Sequence, residues 1–202
     1  MNSSVDVSNV VACRENSNAS RLQPYCLAYG NGMAEDNASR KPAVFAAVIT
    51  VSDRSSRGER ADRSGPRAVE LVGQAGYAVG VPKIVPDGSA SVHDAIEDAI
   101  ESGARLIITS GGTGVSPTDL TPEGTRPLLA HELPGIAELL RSEGARHSPH
   151  AVLTRGLAGV AGHPPTAFVV NLPGSVRAVE QGLGVVLPLV PHILDQLDGG
   201  DH

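Results

Sequence analysis

The sequence predicts a three-layer α/β domain, with a mostly parallel central sheet and a short antiparallel edge. Three observations carry that prediction. Segments of strand and helix character alternate along residues 43–198. The strand segments at residues 43–51 and 106–110 are continuous apolar runs, the pattern of strands buried on both faces. Both runs end in small polar residues, glycine or aspartate, and open α/β sheets place ligands at such carboxyl ends.

Residues 1–42 are rich in Asn and Ser, lack apolar periodicity and read as a disordered N-terminal extension. Met33 is an alternative start to Met1, ten residues ahead of the first strand. Val10-Val11-Ala12-Cys13 has the look of a lipoprotein cleavage box, but residues 1–9 are polar and no basic segment precedes them. Cys13 and Cys26 both lie in this extension, so a disulfide framework or a Cys-rich metal site in the domain is excluded.

The first strand, residues 43–51, leads through Ser52-Asp53-Arg54 into a polar, charged loop. Ser64-Gly65-Pro66 opens a helix to residue 74, with Ala68, Leu71 and Val72 on one face. Residues 77–85 form the next strand. Pro86-Asp87-Gly88 is a strong turn sequence, and it also sets a carboxylate at a strand's carboxyl end. Ser91 caps the following helix, on which Val92, Ala95, Ile96, Ala99 and Ile100 recur at helical spacing. Asp94, Glu97, Asp98 and Glu101 form its solvated face, and Gly103 stops it.

The third strand, Leu106-Ile107-Ile108-Thr109, breaks into Ser110-Gly111-Gly112-Thr113-Gly114. Thr121-Pro122-Glu123 then starts a helix, with Thr121 as N-cap and Pro122 at the first helical position. Strand, glycine-rich loop and helix together make either a tight turn or an anion site whose amides cradle phosphate oxygens. It is not a Walker A loop, because the only lysines are Lys41 and Lys83. It is not a dinucleotide fingerprint, because Pro117 stands where the third glycine belongs. Asp119 is either a charge at the helix start or a metal ligand beside phosphate.

The helix from Pro122 runs to about residue 130 with a kink at Pro127, and Leu133-Pro134-Gly135 begins another bearing Ile136, Leu139 and Leu140. His147 and His150 are separated by Pro149 and lack further ligands, so metal binding there is set aside. Residues 157–162 and 166–171 are strands, the location of the antiparallel edge. Leu172-Pro173-Gly174-Ser175 is a second small-residue loop, with Ser175 a cap or ligand contact. Its surroundings do not make a nucleophile elbow, which excludes a serine hydrolase of that type. Residues 176–197 are helical, interrupted near Pro188 and Pro191.

The Ser110–Gly114 glycine motif followed by Asp119-Leu120-Thr121-Pro122-Glu123 resembles the signature of the Mog/MoaB molybdopterin-binding family. Thr50-Val51-Ser52-Asp53-Arg54, Val85-Pro86-Asp87 and Asn171-Leu172-Pro173-Gly174-Ser175 agree in order and spacing, and the match covers residues 43–198. The resemblance implies the molybdopterin-binding fold, a homotrimer and adenylyl transfer from ATP to molybdopterin. It implies Mg²⁺ held by Asp87 and Asp119 as the catalytic pair. Substrates would meet Ser52, Asp53, Ser110, Gly111, Gly112, Thr113, Gly114 and the segment Leu172, Pro173, Gly174, Ser175. A molybdate-inserting MoeA-type protein is the implied partner. Two alternatives stay open: a molybdopterin-binding scaffold that does not catalyse, and a CinA-like nucleotide pyrophosphatase. The latter group carries Leu where Thr113 stands, and paired acids where this chain has Asp119 alone.

Composition sets further bounds. The core must be aliphatic, since the 202 residues include no Trp, 3 Tyr and 2 Phe. A formal net charge of −6 argues against nucleic acid bound across a broad basic face, but not against a small anionic substrate. No run is apolar and long enough for a membrane span, so a soluble cytoplasmic protein is expected.

Overall fold

The structure is a computed structural model and describes residues 43–200. The readings on the extension, the two start codons, the cleavage box and both cysteines lie outside the described residues. One sheet organises the rest. Its strands are β1 (Phe45–Val51), β2 (Ala78–Val79), β3 (Lys83–Val85), β4 (Leu106–Ser110), β5 (Leu129–Glu132), β6 (Ala158–Ala161) and β7 (Ala167–Leu172). The order is β2-β1-β4-β7-β6-β5, with β3 also paired to β1. β1, β4 and β7 are parallel neighbours, while β6 and β5 run antiparallel at one edge.

Alternation along the central strands builds two cores. Ala46 and Val48, Leu106 and Ile108, and Phe168, Val170 and Leu172 face one side. There they pack on α2 (Ser64–Gln74), α6 (Val176–Val186) and α7 (Val190–Leu197). Ile49 and Val51, Ile107, and Ala167 and Val169 face the other side, against α3 (Ser89–Glu101). Every residue of β4 and β7 is buried, which is why these strands read as continuous apolar runs. The sheet is thus the middle of three layers.

Several expected elements change. The segment expected as one strand at 77–85 is two short strands. Residues 80–82 leave the ladder at Pro82, which has no N–H to donate; β2 pairs with the start of β1 and β3 with its end. The loop after β1 opens with a helical turn, α1 (Asp53–Ser56). Helix α3 begins at Ser89, and Ser91 is not its cap: its hydroxyl donates to the carbonyls of Pro86 and Gly88. Thr121 is the first residue of α4 (Thr121–Thr125) rather than its N-cap. That helix is shorter than expected. Pro127 lies in a 3₁₀ turn, Arg126–Leu128, after which the chain becomes β5. In α5 (Pro134–Ala145), Ala137 is buried while Leu139, expected on the apolar face, is exposed. The helical stretch 176–197 breaks at residues 187–189, as its prolines require.

Candidate functional site

Because β1, β4 and β7 are parallel, the loops that follow them share one rim. Gly111 N donates to Leu172 O at 2.9 Å, which ties the β4 loop to the end of β7. Two glycines are required there by space. Gly111 has φ 114°, and a Cβ on it would collide with the carbonyl oxygen of Val51. Gly112 has φ 60°, and a Cβ on it would collide with Thr121 Oγ1. The third loop comes close as well, though less so: a Cβ on Gly174 would stand 3.1 Å from Gly111 Cα.

A buried hydrogen-bond chain fixes the glycine loop from beneath. Asn171, on β7, accepts from Leu157 N at 3.1 Å and donates to Thr109 Oγ1 and Thr125 Oγ1 at 3.0 Å each. Thr125 Oγ1 donates to Thr121 O, and Thr121 Oγ1 donates to Gly111 O, both at 2.8 Å. Each of these polar groups would be costly to bury unpaired. Together they transmit the position of the sheet to the loop.

Above the rim lies a cavity of about 740 Å³. Ser110, Gly111, Gly112, Thr113 and Gly114 line it, as do Ser52, Leu172, Pro173, Gly174 and Ser175. Asp119 lines it too; its Oδ2 accepts from Ser116 N at 2.9 Å and flanks Gly114. Ser52 and Ser175 are the N-caps of α1 and α6, accepting from Ser55 N and Ala178 N. Thr113 Oγ1 accepts from Thr154 Oγ1 at 3.0 Å, so its own proton is free to donate into the cavity.

Two of the expected residues lie elsewhere. Asp53 and Asp87 are absent from the cavity wall and are locked to each other. Asp53 N donates to Asp87 Oδ2 at 2.8 Å, and Asp87 N donates to Asp53 Oδ1 at 3.1 Å. Asp87 Oδ1 would lie 3.4 Å from a Cβ on Gly112, so this carboxylate stands beside the glycine loop. Among the described residues, the one close group of three metal-ligating side chains is His93, Asp94 and Glu97, on the outer face of α3 and apart from the cavity wall.

The structure also brings in residues that the sequence reading passed over. Asp62 lines the cavity and caps α2 from just outside it. Its Oδ1 accepts from Ser64 N, Ser64 Oγ and Gly65 N, and its Oδ2 from Thr50 Oγ1 at 2.7 Å. An Asp two residues before a Ser-Gly-Pro helix start was the signal available for it. Arg155 staples the β4 loop: its Nε donates to Gly114 O at 2.7 Å and its Nη2 to Asp119 O. Glu123 holds the same guanidinium with both carboxylate oxygens. The Arg155 side chain holds the Glu123 carboxyl below the usual glutamate range, and Glu123 raises Arg155 in turn. His147 and His150 also line the cavity; His147 Nδ1 lies 3.5 Å from Arg177 Nη2.

Comparison with known proteins places this arrangement. The family described as "Probable molybdopterin binding domain" matches residues 47–192. A molybdopterin adenylyltransferase from Pyrococcus furiosus is 41% identical over 163 residues, covering 79% of this chain and 95% of that protein. A molybdenum cofactor biosynthesis bifunctional protein from Synechococcus elongatus is 41% identical over 159 residues; the chain spans 49% of its length. The crystal structure of a molybdopterin biosynthesis protein from Mycobacterium abscessus superposes with a TM-score of 0.73 at 40% identity, covering 78% of this chain and 98% of that one.

Proposed function

The chain belongs to the molybdopterin-binding domain family, and on that premise we propose that it is a molybdopterin adenylyltransferase of molybdenum cofactor biosynthesis. A terminal phosphate oxygen of molybdopterin forms a bond to the α-phosphorus of ATP. The bond from that phosphorus to the bridging oxygen breaks, and its electron pair leaves on pyrophosphate. The products are adenylyl-molybdopterin and pyrophosphate. A phosphate nucleophile is already ionised at neutral pH and needs no general base, so the protein's task is to position the groups and offset charge.

The observation that carries this reading is the carboxylate of Asp119 on the cavity wall beside the glycine loop. The amides of Gly112, Thr113 and Gly114 and the free proton of Thr113 offer donors to phosphate oxygens. Ser52, Ser110 and the 172–175 segment shape the wall. Asp119 fits a divalent cation: its Oδ1 has no hydrogen-bond partner among the described residues, and Mg²⁺ is commonly held by one carboxylate plus substrate phosphates. Mg²⁺ bound there would supply positive charge against the phosphates. Asp87 is the expected second ligand; its Oδ1 lies beside Gly112 of the loop, and Asp62 is the other aspartate on the wall.

The proposal includes a homotrimeric, cytoplasmic protein, a domain spanning residues 43–198, and hand-over of product to a molybdate-inserting MoeA-type partner. Incubation of the purified chain with molybdopterin, ATP and Mg²⁺ should yield adenylyl-molybdopterin and pyrophosphate. Binding of molybdopterin without either product would establish the scaffold reading in its place.

A further inference from the structure

The described arginines fall into three groups, of which Arg54 and Arg141 neither line the cavity nor pair with an acid. Arg57, Arg67, Arg105, Arg126, Arg146 and Arg155 each pair with an acid, and none of them lines the cavity. Arg60, Arg63 and Arg177 line the cavity and form no ion pair among the described residues. In an acidic protein, guanidinium groups left unpaired on a cavity wall are poised for an anionic ligand.

The wall has two chemically different ends. Helix α2 packs on α6 and α6 on α5, so the wall runs from the α1–α2 loop across to α5. At the α5 end it is faced by Ala137, Leu140, Ala151, Leu153 and Val185, a surface suited to a ring. At the α1–α2 end stand Arg60 and Arg63 with Ser52 and Ser55. Ser52 Oγ accepts from Ser55 N, which leaves its proton available to a ligand. Asp62, between the two arginines, forms a salt bridge with neither. Its oxygens are taken up by Thr50, Ser64 and Gly65.

We propose that Arg60 and Arg63, with the Ser52 hydroxyl, form the seat for the β- and γ-phosphates of the nucleotide, and so for the departing pyrophosphate. The choice of ligand rests on the adenylylation reading, since that reaction releases pyrophosphate. The seat makes the protein select triphosphates over diphosphates: ADP would leave one of its two cations without a phosphate partner. It also stabilises the leaving group as charge moves onto it. Both side chains are exposed at the rim, which lets the product depart to solvent.

Calorimetric titration with inorganic pyrophosphate in the presence of MgCl₂ tests the seat without requiring turnover. The double variant Arg60→Ala/Arg63→Ala should weaken pyrophosphate binding by at least about tenfold. It should raise KM for ATP in parallel and leave molybdopterin affinity within about twofold. Arg57→Ala, on the same loop but off the cavity, should bind as wild type does. Pyrophosphate affinity unchanged in the double variant overturns the proposal. So does a loss carried by Arg177→Ala instead, or a wild-type protein that does not bind pyrophosphate. If wild type binds pyrophosphate through these arginines yet forms no adenylyl-molybdopterin, the seat stands and the transferase reading fails.

Discussion

Gly114→Ala probes Asp119 by moving its carboxylate without altering it. A Cβ at residue 114 would lie 2.8 Å from Asp119 Oδ2. Ordinary contact begins near 3.4 Å, so the carboxylate must retreat by about 0.6 Å. The group in the way is the tip of a side chain, so the backbone need not yield. The retreat weakens the 2.9 Å hydrogen bond from Ser116 N, at a cost of about 0.5–1.5 kcal/mol. Gly114 is not in the left-handed region, so alanine recovers about 0.4–1 kcal/mol through the unfolded chain. The two nearly cancel, and stability should stay within about 1 kcal/mol of wild type. Catalysis should not. A misplacement of 1 Å can cost on the order of 10²-fold, so kcat should fall about ten- to a hundredfold. Adenylyl-molybdopterin formation at saturating substrates, measured beside a thermal melt, reads both quantities. A folded variant turning over within about twofold of wild type would refute a position-sensitive role for Asp119.

Three other expectations can be checked on the same preparation. Asp119→Asn keeps the size and removes the charge; kcat should fall by about 10²–10³ with Mg²⁺-dependent turnover lost, whereas a mere helix-start charge would cost about 0.3–1 kcal/mol of stability and little rate. Asn171→Ala removes the partner of Leu157 N and breaks the chain to Thr109 and Thr125, so urea denaturation should show a loss of about 2–4 kcal/mol even before ligand is added. Glu123 has a folded pKa below its unfolded value, so its contribution is present above the unfolded pKa and is lost as pH falls through the lower folded one. The pair is solvent-exposed and contributes about 0–1 kcal/mol, and a pH series of melts should lose that acid-side dependence in Glu123→Gln.

The layer order and the shared rim were legible because burial on both faces imprints itself on a strand as an unbroken apolar run. β4 and β7 show this residue by residue. The glycine loop was legible for a related reason: Gly111 and Gly112 stand where no Cβ fits, so composition there reports geometry directly. What escaped was decided by partners distant in sequence. β5 exists because β6 is beside it, and Leu129-Ala130-His131-Glu132 has no strand pattern of its own. Asp87 and Asp62 are both aspartates in polar turns. Only the fold shows that the first is tied to Asp53 and the second lines the cavity. Asn171 looked like the end of a strand, and its three hydrogen bonds run to segments 14, 62 and 46 residues away.

The reversal of chain direction at β6 has a practical side. A strand running against its neighbours offers the ligand the residues before it rather than those after it. Thr154 and Gly156 therefore sit on the cavity wall, with Arg155 gripping the β4 loop beside them, although no strand precedes them directly. By the same reversal, the residues following β6 are carried to the opposite end of the sheet. The turn at residues 162–166, which joins β6 to β7, contributes nothing to the cavity wall. That turn is the place to attach a fluorophore or a purification tag, because a label there sits at the end of the sheet away from the cavity.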